Sequence, residues 1–316
     1  MTDVVNQASS TAHARAGQAM SGAEIIVQVL ADEGARAIFG YSGGAILPTY
    51  DAVFTFNEAQ RRAGGREIPL IVPANEQGAG FMAAGYARAS GQVGVCLVTS
   101  GPGATNTVTP VRDCMADSVP IVVICGQVPT AAVGTDAFQE APVAALMGPV
   151  AKHVFLVTDP TRLEATMRTA FEIARTGRPG PVVIDIPKDV QNWAGTFLGQ
   201  GQLPLPGFRR RSAELAASTL SAEQRAAFVE LLSESQRPLI YAGGGVINGE
   251  ASAALTEFAE ALHIPVVTTL MGIGSIDTTH PLAMHMLGMH GVAAANYAVE
   301  DCDFLIAIGA RFDDRV

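Results

Sequence analysis

Short runs that are apolar on both faces constrain the fold of this chain more than any other feature. Residues 119–124, Val-Pro-Ile-Val-Val-Ile, contain no polar position. A strand with one solvated face would alternate apolar and polar residues, whereas a parallel strand covered by helices on both faces is apolar throughout. Because helical stretches separate the apolar runs, the sequence predicts an α/β fold with a doubly wound, mainly parallel sheet.

The first 190 residues carry most of this pattern. A helix is predicted to begin at Ser21, whose hydroxyl can cap the helix while Glu24 reaches back to the Ser21 amide. Gly34 is predicted to end that helix. Further strands are predicted near residues 68–72, 93–98, 120–125, 153–157 and 181–186.

A stretch containing Pro and Arg divides the sequence. Pro204, Pro206 and the three consecutive arginines at 209–211 are typical of a surface linker. Beyond it, helices are predicted at 222–235 and 250–262, and strands at 238–242, 265–268 and 303–308. The sequence stops soon after a strand, so the second domain is expected to be incomplete. The predicted organisation is a flexible tail over 1–20, a first domain over 21–190, a linker over 191–220 and a second α/β domain over 221–316.

Composition and charge exclude several classes of function. The net charge of −10 argues against nucleic-acid binding, which depends on clustered Lys and Arg. No stretch reaches the roughly 18 consecutive apolar residues of a membrane span. The cysteines form no Cys-x-x-Cys pair, so we expect reduced thiols in a cytoplasmic protein and no zinc site. These cysteines are Cys96, Cys114, Cys125 and Cys302.

Four segments are predicted to lie where strands end, and open α/β sheets bind ligands outside the carboxyl ends of their strands. Three of the four contain glycines, which let a ligand or a second backbone come close. Any one of them alone is better explained as a tight turn, but four together predict a ligand site. The segments are residues 40–44, 73–76, 100–103 and 126–129.

Glu76 is the sharpest candidate among these residues. It follows the predicted strand at 68–72 and opens a helix with many small residues. A carboxylate at a helix N-terminus is also stabilised by the helix dipole and needs no further function. From its spacing alone, this second interpretation of Glu76 is the better one.

Longer stretches of sequence favour a functional role for Glu76 over a purely helix-stabilising one. EQGAGFMAAGYAR (76–88) resembles the signature of thiamine-diphosphate enzymes, and TSGPGATN (99–106) fits the same family. Further stretches, in the same order along the chain, resemble the acetolactate synthase (acetohydroxyacid synthase) large-subunit family. They are GYSGGAILPTYD (40–51), GQVPTAAVGTDAFQE (126–140), GRPGPVVIDIPKDVQ (177–191), TLMGIGSI (269–276), LGMHG (287–291) and RFDDRV (311–316).

The resemblance implies an enzyme that joins two 2-keto acids with loss of carbon dioxide. Pyruvate would combine with pyruvate or 2-oxobutyrate, giving acetolactate or acetohydroxybutyrate for branched-chain amino-acid biosynthesis. In the family, the counterpart of Glu76 hydrogen-bonds the aminopyrimidine ring of thiamine diphosphate, which makes the ring's amino group a base. Residues expected near the cofactor by the same matching are Tyr41, Ser42, Pro102, Asn106 and Gln139.

The same matching places residues around the substrate. Phe138 and Lys188 are expected to flank the substrate channel, and Arg315 is expected to bind the keto-acid carboxylate through its two-pronged guanidinium. The predicted catalytic residues are Glu76, Gln139, Lys188 and Arg315.

The second domain resembles the flavin-binding domain of the family. The implied FAD is structural, because carbon–carbon bond formation needs no hydride transfer. Taken alone, the glycines after the predicted strand at 238–242 are a weak nucleotide signal, since they lack the Gly-x-Gly-x-x-Gly spacing. Residues matching FAD-binding positions are Arg178, Gly243, Gly244, Thr269, Leu270, Leu287, Gly288, Met289, His290, Gly291, Gly309, Ala310 and Arg311.

Two departures and one missing motif qualify the resemblance. This chain has Ala74-Asn75-Glu76 where the family usually has Arg-His-Glu or a similar triplet, and Ser42 replaces a usual Pro. The family's Gly-Asp-Gly…Asn-Asn motif, which holds Mg²⁺ and the diphosphate, is absent from these residues. We therefore expect Mg²⁺ to be held by a domain outside this sequence, and the 316-residue chain to be inactive alone.

The resemblance also implies partners, and other interpretations stay open. The family assembles as a homodimer or larger homo-oligomer with its active site between subunits, and a regulatory small subunit is a further expected partner. One alternative is a related lyase or oxidase, such as oxalyl-CoA decarboxylase, glyoxylate carboligase or pyruvate oxidase. Another is a non-catalytic flavin-fold protein that binds a partner. A nicotinamide dehydrogenase is excluded, because no predicted strand is followed by a Gly-x-Gly-x-x-Gly fingerprint with an acidic residue downstream.

Overall fold

The computed structural model describes residues 13–312, and these form two compact units that divide between Ala216 and Ala217. Each unit has its own parallel sheet. Within the described part of the chain, no helix is both long enough and apolar enough to cross a membrane.

The first unit is built on a six-stranded sheet in the order β3-β2-β4-β5-β7-β6, and every neighbouring pair in it is parallel. This confirms the predicted parallel sheet. Two short strands, β1 and β8, form a separate antiparallel pair. The strands are β1 (Ala19–Ser21), β2 (Ile38–Tyr41), β3 (Leu70–Ile71), β4 (Gly94–Val98), β5 (Ile121–Gln127), β6 (His153–Leu156), β7 (Val182–Pro187) and β8 (Ala194–Thr196).

Helices cover both faces of this sheet, as the apolar runs predict. On β5, Val122 and Ile124 pack into a core with α1, α2 and α7, while Val123 and Cys125 pack into a second core with α3, α5 and α6. The sheet is therefore doubly wound. The helices are α1 (Gly22–Asp32), α2 (Leu47–Ala63), α3 (Glu76–Ser90), α4 (Pro102–Thr105), α5 (Val108–Asp117), α6 (Val143–Met147), α7 (Leu163–Arg175), α8 (Lys188–Asn192) and α9 (Pro206–Ala217).

The predicted start of α1 is confirmed in detail. The Ser21 hydroxyl accepts a hydrogen bond from the Glu24 amide at 3.2 Å, and a Glu24 carboxylate oxygen accepts from the Ser21 amide at 2.7 Å. Both donors would otherwise be unsatisfied at the helix start. The helix ends at Asp32, two residues before Gly34, whose φ of +81° is easily adopted only by glycine.

The segment predicted as a linker contains regular structure. Besides β8 it holds α9, which begins at Pro206 and runs through the arginine triplet. Proline fits the first turn of a helix, and Arg, Ala, Leu and Glu are strong helix formers. Arg209 forms a two-pronged ion pair with Glu172 of α7, with both N–O distances 2.8 Å.

The second unit has a four-stranded parallel sheet in the order β11-β10-β9-β12. Its predicted strands and helices are present, and β11 was not predicted. That strand is short, reads Ala-Met-His-Met and places His285 at a φ of +62°, so it lacks the usual strand pattern. The elements are α10 (Ala222–Glu234), β9 (Pro238–Ala242), α11 (Gly244–Asn248), α12 (Ser252–Leu262), β10 (Val266–Thr268), β11 (Ala283–Met286), α13 (Ala293–Asp301) and β12 (Phe304–Ile308).

Candidate active site

The segments at the ends of β2, β3, β4, β5 and β7 lie at one edge of the first sheet. We call this the carboxyl edge, formed by residues 40–46, 72–76, 99–106, 126–141 and 187–191. The Ala45 amide donates to the Thr99 hydroxyl at 3.3 Å, which joins the loops after β2 and β4. All five segments lie at the same edge because the strands are parallel.

Glycines at this edge are required by close backbone approaches. A Cβ atom at Gly126 would lie 2.6 Å from the Ala45 carbonyl oxygen, and one at Gly43 would lie 2.5 Å from the Thr99 side chain. Real Cβ contacts are essentially never this short. The glycines therefore let the predicted ligand-site segments pack against one another.

Glu76 is buried at this edge, with 9% of its surface exposed. It is the first residue of α3, and the preceding Asn75 caps the helix by accepting from the Gly78 amide at 2.8 Å. The side-chain amide of Asn106 donates to the Glu76 Oε2 atom at 2.8 Å. The structure thus brings together two residues that the sequence predicts to share a site, and Asn75, one of the departures from the family pattern, serves as a helix cap.

The other Glu76 oxygen faces a glycine. A Cβ atom at Gly103 would come within 3.7 Å of Glu76 Oε1, so the missing side chain leaves that oxygen uncovered on this side. Burial raises the pKa of the nearby Tyr50 phenol, with further contributions from Cys96 and Glu76. The Tyr50 hydroxyl donates to the Leu97 carbonyl at 3.3 Å, so this part of the site is closely packed. Tyr50 was not among the predicted site residues.

The loop over residues 128–141, here called the β5 loop, carries Phe138 and Gln139. A Cβ atom at Gly101 would lie 2.5 Å from the Gln139 carbonyl oxygen, so the β5 loop packs directly against the turn before Pro102. Gln139 has a φ of +58°, an uncommon conformation for a residue with a side chain. Phe138 is 89% exposed.

The β5 loop is organised by Glu140. Its carboxylate accepts from the Ala137 amide at 3.0 Å and from the Gly134 amide. These hydrogen bonds stabilise the ionised form and lower the pKa of Glu140. The loop therefore has a defined shape of its own.

Four more residues predicted to bind cofactor or substrate, Tyr41, Ser42, Pro102 and Lys188, lie at the same edge. Tyr41 ends β2 and Ser42 follows it, both exposed, while Pro102 begins α4. Lys188 begins α8 directly after β7 and is half-buried. Arg315, predicted to bind the keto-acid carboxylate, lies outside the described residues.

Three buried polar side chains lie beneath these loops and were not predicted. Gln191 donates to the Ala45 carbonyl at 2.8 Å and accepts from the Thr49 hydroxyl at 2.9 Å. Gln127 donates to Asp185 at 2.9 Å, and burial raises the pKa of Asp185 to about 7. The available sequence signal was a polar residue inside an otherwise apolar run, as in IVVICGQ and VVIDIP.

In the second unit, two segments predicted to bind flavin are in contact. The Gly243 amide after β9 donates to the Ile308 carbonyl at 2.9 Å, and a Cβ atom at Gly243 would lie 2.3 Å from the Gly309 carbonyl oxygen. The glycines at 243 and 309 thus permit the ends of β9 and β12 to approach. Gly244 follows in α11, and Ala310 and Arg311 follow Gly309.

A cavity of about 350 Å³ lies in the second unit. This falls within the range of roughly 300–1,000 Å³ that is typical of small-molecule pockets. Two of its lining residues, His290 and Gly291, are among those predicted to bind flavin. Other lining residues are Thr268, Ile273, Ile276, His285, Met286 and Val292.

Local hydrogen bonds shape the turns around the second unit's predicted site. Asn296 binds both the amide and the carbonyl of Gly288, at 2.8 and 3.1 Å. The Thr269 hydroxyl accepts from the Gly272 amide at 2.9 Å, which caps the short turn containing Leu270. Leu287 is buried and Met289 is exposed.

Arg178 is one further residue that was predicted to bind flavin. It belongs to the first unit and precedes β7, at the end of the sheet opposite the carboxyl edge. Its guanidinium donates to the Ser118 hydroxyl at 2.8 Å and to the Met115 carbonyl at 2.6 Å, at the end of α5. Among residues 13–312, no group of three or more His, Cys, Asp or Glu side chains is arranged to hold a metal ion.

Comparison with known proteins shows the family of the chain. The chain matches the N-terminal TPP binding domain of thiamine pyrophosphate enzymes over residues 20–146 and the central domain of these enzymes over residues 225–316. The chain belongs to the thiamine pyrophosphate enzyme family. The two matched regions fall in the first and second units respectively.

Within this family the chain is similar to acetolactate synthases. It is 46% identical to the acetolactate synthase large subunit of Corynebacterium glutamicum over 98% of this chain and 47% of that protein. Identity to the isozyme 2 large subunit of Escherichia coli is 46%, over 94% of this chain and 50% of that protein. Identity to the chloroplastic acetolactate synthase of Arabidopsis thaliana is 43%, over 95% of this chain and 42% of that protein. The chain thus spans about half the length of the curated relatives it matches.

Proposed function

We propose that this chain belongs to an enzyme that uses thiamine diphosphate to join two 2-keto acids with loss of carbon dioxide. The substrates are pyruvate with pyruvate or with 2-oxobutyrate, and the products are acetolactate or acetohydroxybutyrate for branched-chain amino-acid biosynthesis. The observation that carries this proposal is the buried Glu76 carboxylate, bound by Asn106 at the carboxyl edge of a thiamine pyrophosphate enzyme domain.

The Glu76 carboxyl fits a partner with a ring nitrogen. Oε2 is held by Asn106, while Oε1 faces Gly103, where no side chain covers it. Thiamine diphosphate, when bound, supplies a thiazolium ring that accepts the electron pair released as carbon dioxide leaves. Glu76 would hold and exchange a proton with the pyrimidine nitrogen, and Asn106 would fix the carboxyl for this exchange.

The residues around Glu76 are proposed to bind cofactor and substrate. Tyr41, Ser42 and Pro102 contact the cofactor, while Gln139 serves both cofactor binding and catalysis. The β5 loop supports this assignment, because it packs against Gly101 at the turn that precedes Pro102.

The substrate side of the site is proposed to use three further residues. Phe138, largely exposed on the β5 loop, and Lys188, at the carboxyl end of β7, flank the keto acid. Arg315 binds its carboxylate, for which a planar guanidinium offers two parallel donors. With Glu76 and Gln139, Lys188 and Arg315 make up the proposed catalytic set.

The second unit is proposed to bind FAD in a structural role. The cavity lined by His290 and Gly291 supports this, together with the contact between the Gly243 and Gly309 turns. The other proposed flavin residues are those named from the family resemblance. Arg178 is included with them, although its guanidinium binds the end of α5.

Further parts of the proposal concern assembly and the metal. Because the relatives are about twice as long as the matched stretch, we propose that Mg²⁺ and the diphosphate are bound by sequence beyond that stretch. A homodimer or larger homo-oligomer, with the active site between subunits, is proposed. Two relatives are named as large subunits, so a regulatory small subunit is also proposed. The cytoplasmic location stays a prediction of the sequence.

Replacing Glu76 by Gln in the full natural chain tests the proposed function. An amide of almost the same size cannot exchange a proton with the ring nitrogen, so acetolactate formation from pyruvate should fall roughly 100- to 10,000-fold. Glu164→Gln is the control for the loss of a buried carboxylate in the first turn of a helix, here α7. It also breaks an ion pair with Arg168 at 3.0 Å, so its effect on stability should be at least as large as that of Glu76→Gln. Equal turnover in both variants would contradict the assignment, and no acetolactate from the parent would refute the proposed function.

A further inference from the structure

The β5 loop connects the end of β5 to α6 and carries two residues of the proposed substrate site. Phe138 and Gln139 lie near its C-terminal end, and Glu140 fixes the local conformation by accepting hydrogen bonds from two backbone amides of the loop. These contacts lie within the loop itself. They do not hold the loop to the sheet beneath it.

Two side chains outside the loop attach it. Asp189 of α8 accepts from the Thr130 amide at 2.9 Å and from the Thr130 hydroxyl, near the start of the loop. Gln127 attaches both ends of the loop. It is the last residue of β5, is 1% exposed, and makes three hydrogen bonds. Its Oε1 atom accepts from the Val128 amide at 2.9 Å, at the start of the loop. Its Nε2 atom donates to the Ala141 carbonyl at 3.1 Å, at the end of the loop, and to Asp185 Oδ2 at 2.9 Å. One buried side chain therefore joins both ends of the loop to the neighbouring strand.

Asp185 is an unexpected residue for its position. It lies in β7, paired in register with Cys125 of β5, and is 2% exposed. Its Oδ1 atom is buried without a hydrogen-bond partner among the described residues. An aliphatic residue would complete the apolar run of β7 and remove the cost of burying that oxygen. The fold of the strand therefore does not explain the carboxyl, whereas its bond to Gln127 does.

The raised pKa of Asp185 is consistent with its hydrogen bond to Gln127. Burial raises the pKa of Asp185 to about 7, the bond from Gln127 lowers it in part, and the negative charge of Glu140 raises it. A neutral carboxyl can still accept from the Gln127 amide through Oδ2. An amide at the same position could accept in the same way.

We propose that Gln127 and Asp185 form a buried clamp that holds both ends of the β5 loop on the sheet and thereby positions Phe138 and Gln139. Both are positioning residues, because they act on the substrate only through the loop. The effect on substrate rests on the proposed function. The clamp itself rests only on the hydrogen bonds of Gln127 and the burial of Asp185.

Hydrogen–deuterium exchange of residues 130–140 in the full natural chain tests the clamp directly, with the amides of α1 as an internal reference for global stability. Asp185→Val should speed exchange in the loop roughly 10-fold, the effect of losing about one to two hydrogen bonds, while exchange in α1 stays unchanged or slows. Loosening without global destabilisation is a result that a merely structural role would not give. Asp185→Asn keeps an acceptor for Gln127 and should stay within about twofold of the parent.

Gln127→Met removes all three hydrogen bonds at nearly constant volume and gives a second, independent variant. Thr169→Val is the matched control, because the Thr169 hydroxyl is equally buried but accepts from the Leu203 amide in a different region. If loop exchange in Asp185→Val and Gln127→Met equals that in Thr169→Val, the clamp is refuted.

Steady-state kinetics of the same proteins separate the clamp from the proposed function. Asp185→Val should raise the KM for pyruvate more than it lowers kcat, because the loop residues are present but less well placed. Faster loop exchange with an unchanged KM would overturn the positioning role. A parent protein that forms no acetolactate would instead refute the proposed function and leave the exchange result standing.

Discussion

Glycine backbones allow close approaches at the carboxyl edge of both sheets, but the edge in the first unit also has buried carboxyl groups. Glu76, Asp185 and Gln127 are buried at the first edge. Among the described residues of the second unit, no Asp, Glu, Lys, Arg or His side chain is buried, and the buried side chains with polar groups are Thr268, Ser275 and Tyr241. Two sheets with the same parallel architecture thus present different chemistry at the same place.

Because of this difference, the two units suit different tasks: proton transfer in the first unit and ligand binding in the second. A buried carboxyl can be tuned by burial and by its neighbours to hold or release a proton. Close glycine turns instead shape a backbone surface and a cavity, which suits a ligand that is bound but does not react. The first unit therefore has the groups that acid–base catalysis needs, while the second unit has the features of a binding domain.

The glycine contacts predict a large loss of stability in both units. Gly126→Ala and Gly243→Ala each place a Cβ atom within 2.6 Å of a backbone oxygen, which cannot move without shifting a neighbouring loop. We expect each to destabilise its own unit by about 1–3 kcal/mol, the usual cost of overpacking. Urea unfolding would measure this, with the single Trp, Trp193, as the fluorescence reporter for the first unit.

Gly85→Ala is the control for these glycine variants. Gly85 lies inside α3, and a Cβ atom there meets nothing within 4 Å. Alanine in a helix interior should stabilise by about 0.5–1 kcal/mol. If Gly126→Ala is as stable as Gly85→Ala, the close approach between the loops after β2 and β5 does not exist in solution.

Asp185 gives a pH effect that the second unit should lack. Its pKa is raised from 3.8 to about 7 in the folded chain, so the folded state binds the proton more tightly than the unfolded chain does. The stability from this group is fully present below pH of about 4 and is lost as the pH rises through about 7. This pKa shift corresponds to a decrease of up to about 4 kcal/mol in the free energy of unfolding.

Asp185→Asn removes the titrating group and should flatten the stability profile of the first unit over this range. Comparing the free energy of unfolding of parent and variant at several pH values checks this. Cys125, next to Asp185 in the register, has a pKa raised by burial and does not ionise in this range. Parallel profiles for parent and variant would show that Asp185 does not carry the raised pKa.

The sequence predicts the parallel sheet because runs such as residues 119–124 have no solvated face. Glu76 and Asn106 could be predicted because they fall in contiguous stretches that resemble a family signature, and the structure joins them at 2.8 Å. Gln127 and Asp185 could not be paired in advance, because their contact depends on the register between β5 and β7. Strand register is set by packing that a single sequence does not display.

Other features were missed for related reasons. β11 lacks an alternating or β-branched pattern, so nothing in Ala283–Met286 marks it as a strand. α9 was hidden by the prolines and arginines that surround it, although its interior consists of good helix formers. Tyr50 belongs to the site through its burial against Leu97, which is a tertiary contact. The local sequence pattern thus predicted helices and strands where that pattern was clear, but it did not predict the tertiary contacts between them.

The most direct test of the central claim is the rate at which the thiazolium C2 proton of bound thiamine diphosphate exchanges with solvent deuterium. This rate should be measured in the full natural chain, in the parent and in Glu76→Gln, with cofactor and Mg²⁺ at saturation. If Glu76 exchanges a proton with the pyrimidine ring, the variant should bind the cofactor but exchange roughly 100- to 10,000-fold more slowly. Equally fast exchange in the two proteins would show that Glu76 only stabilises the start of α3, an effect of about 0.3–1 kcal/mol on stability.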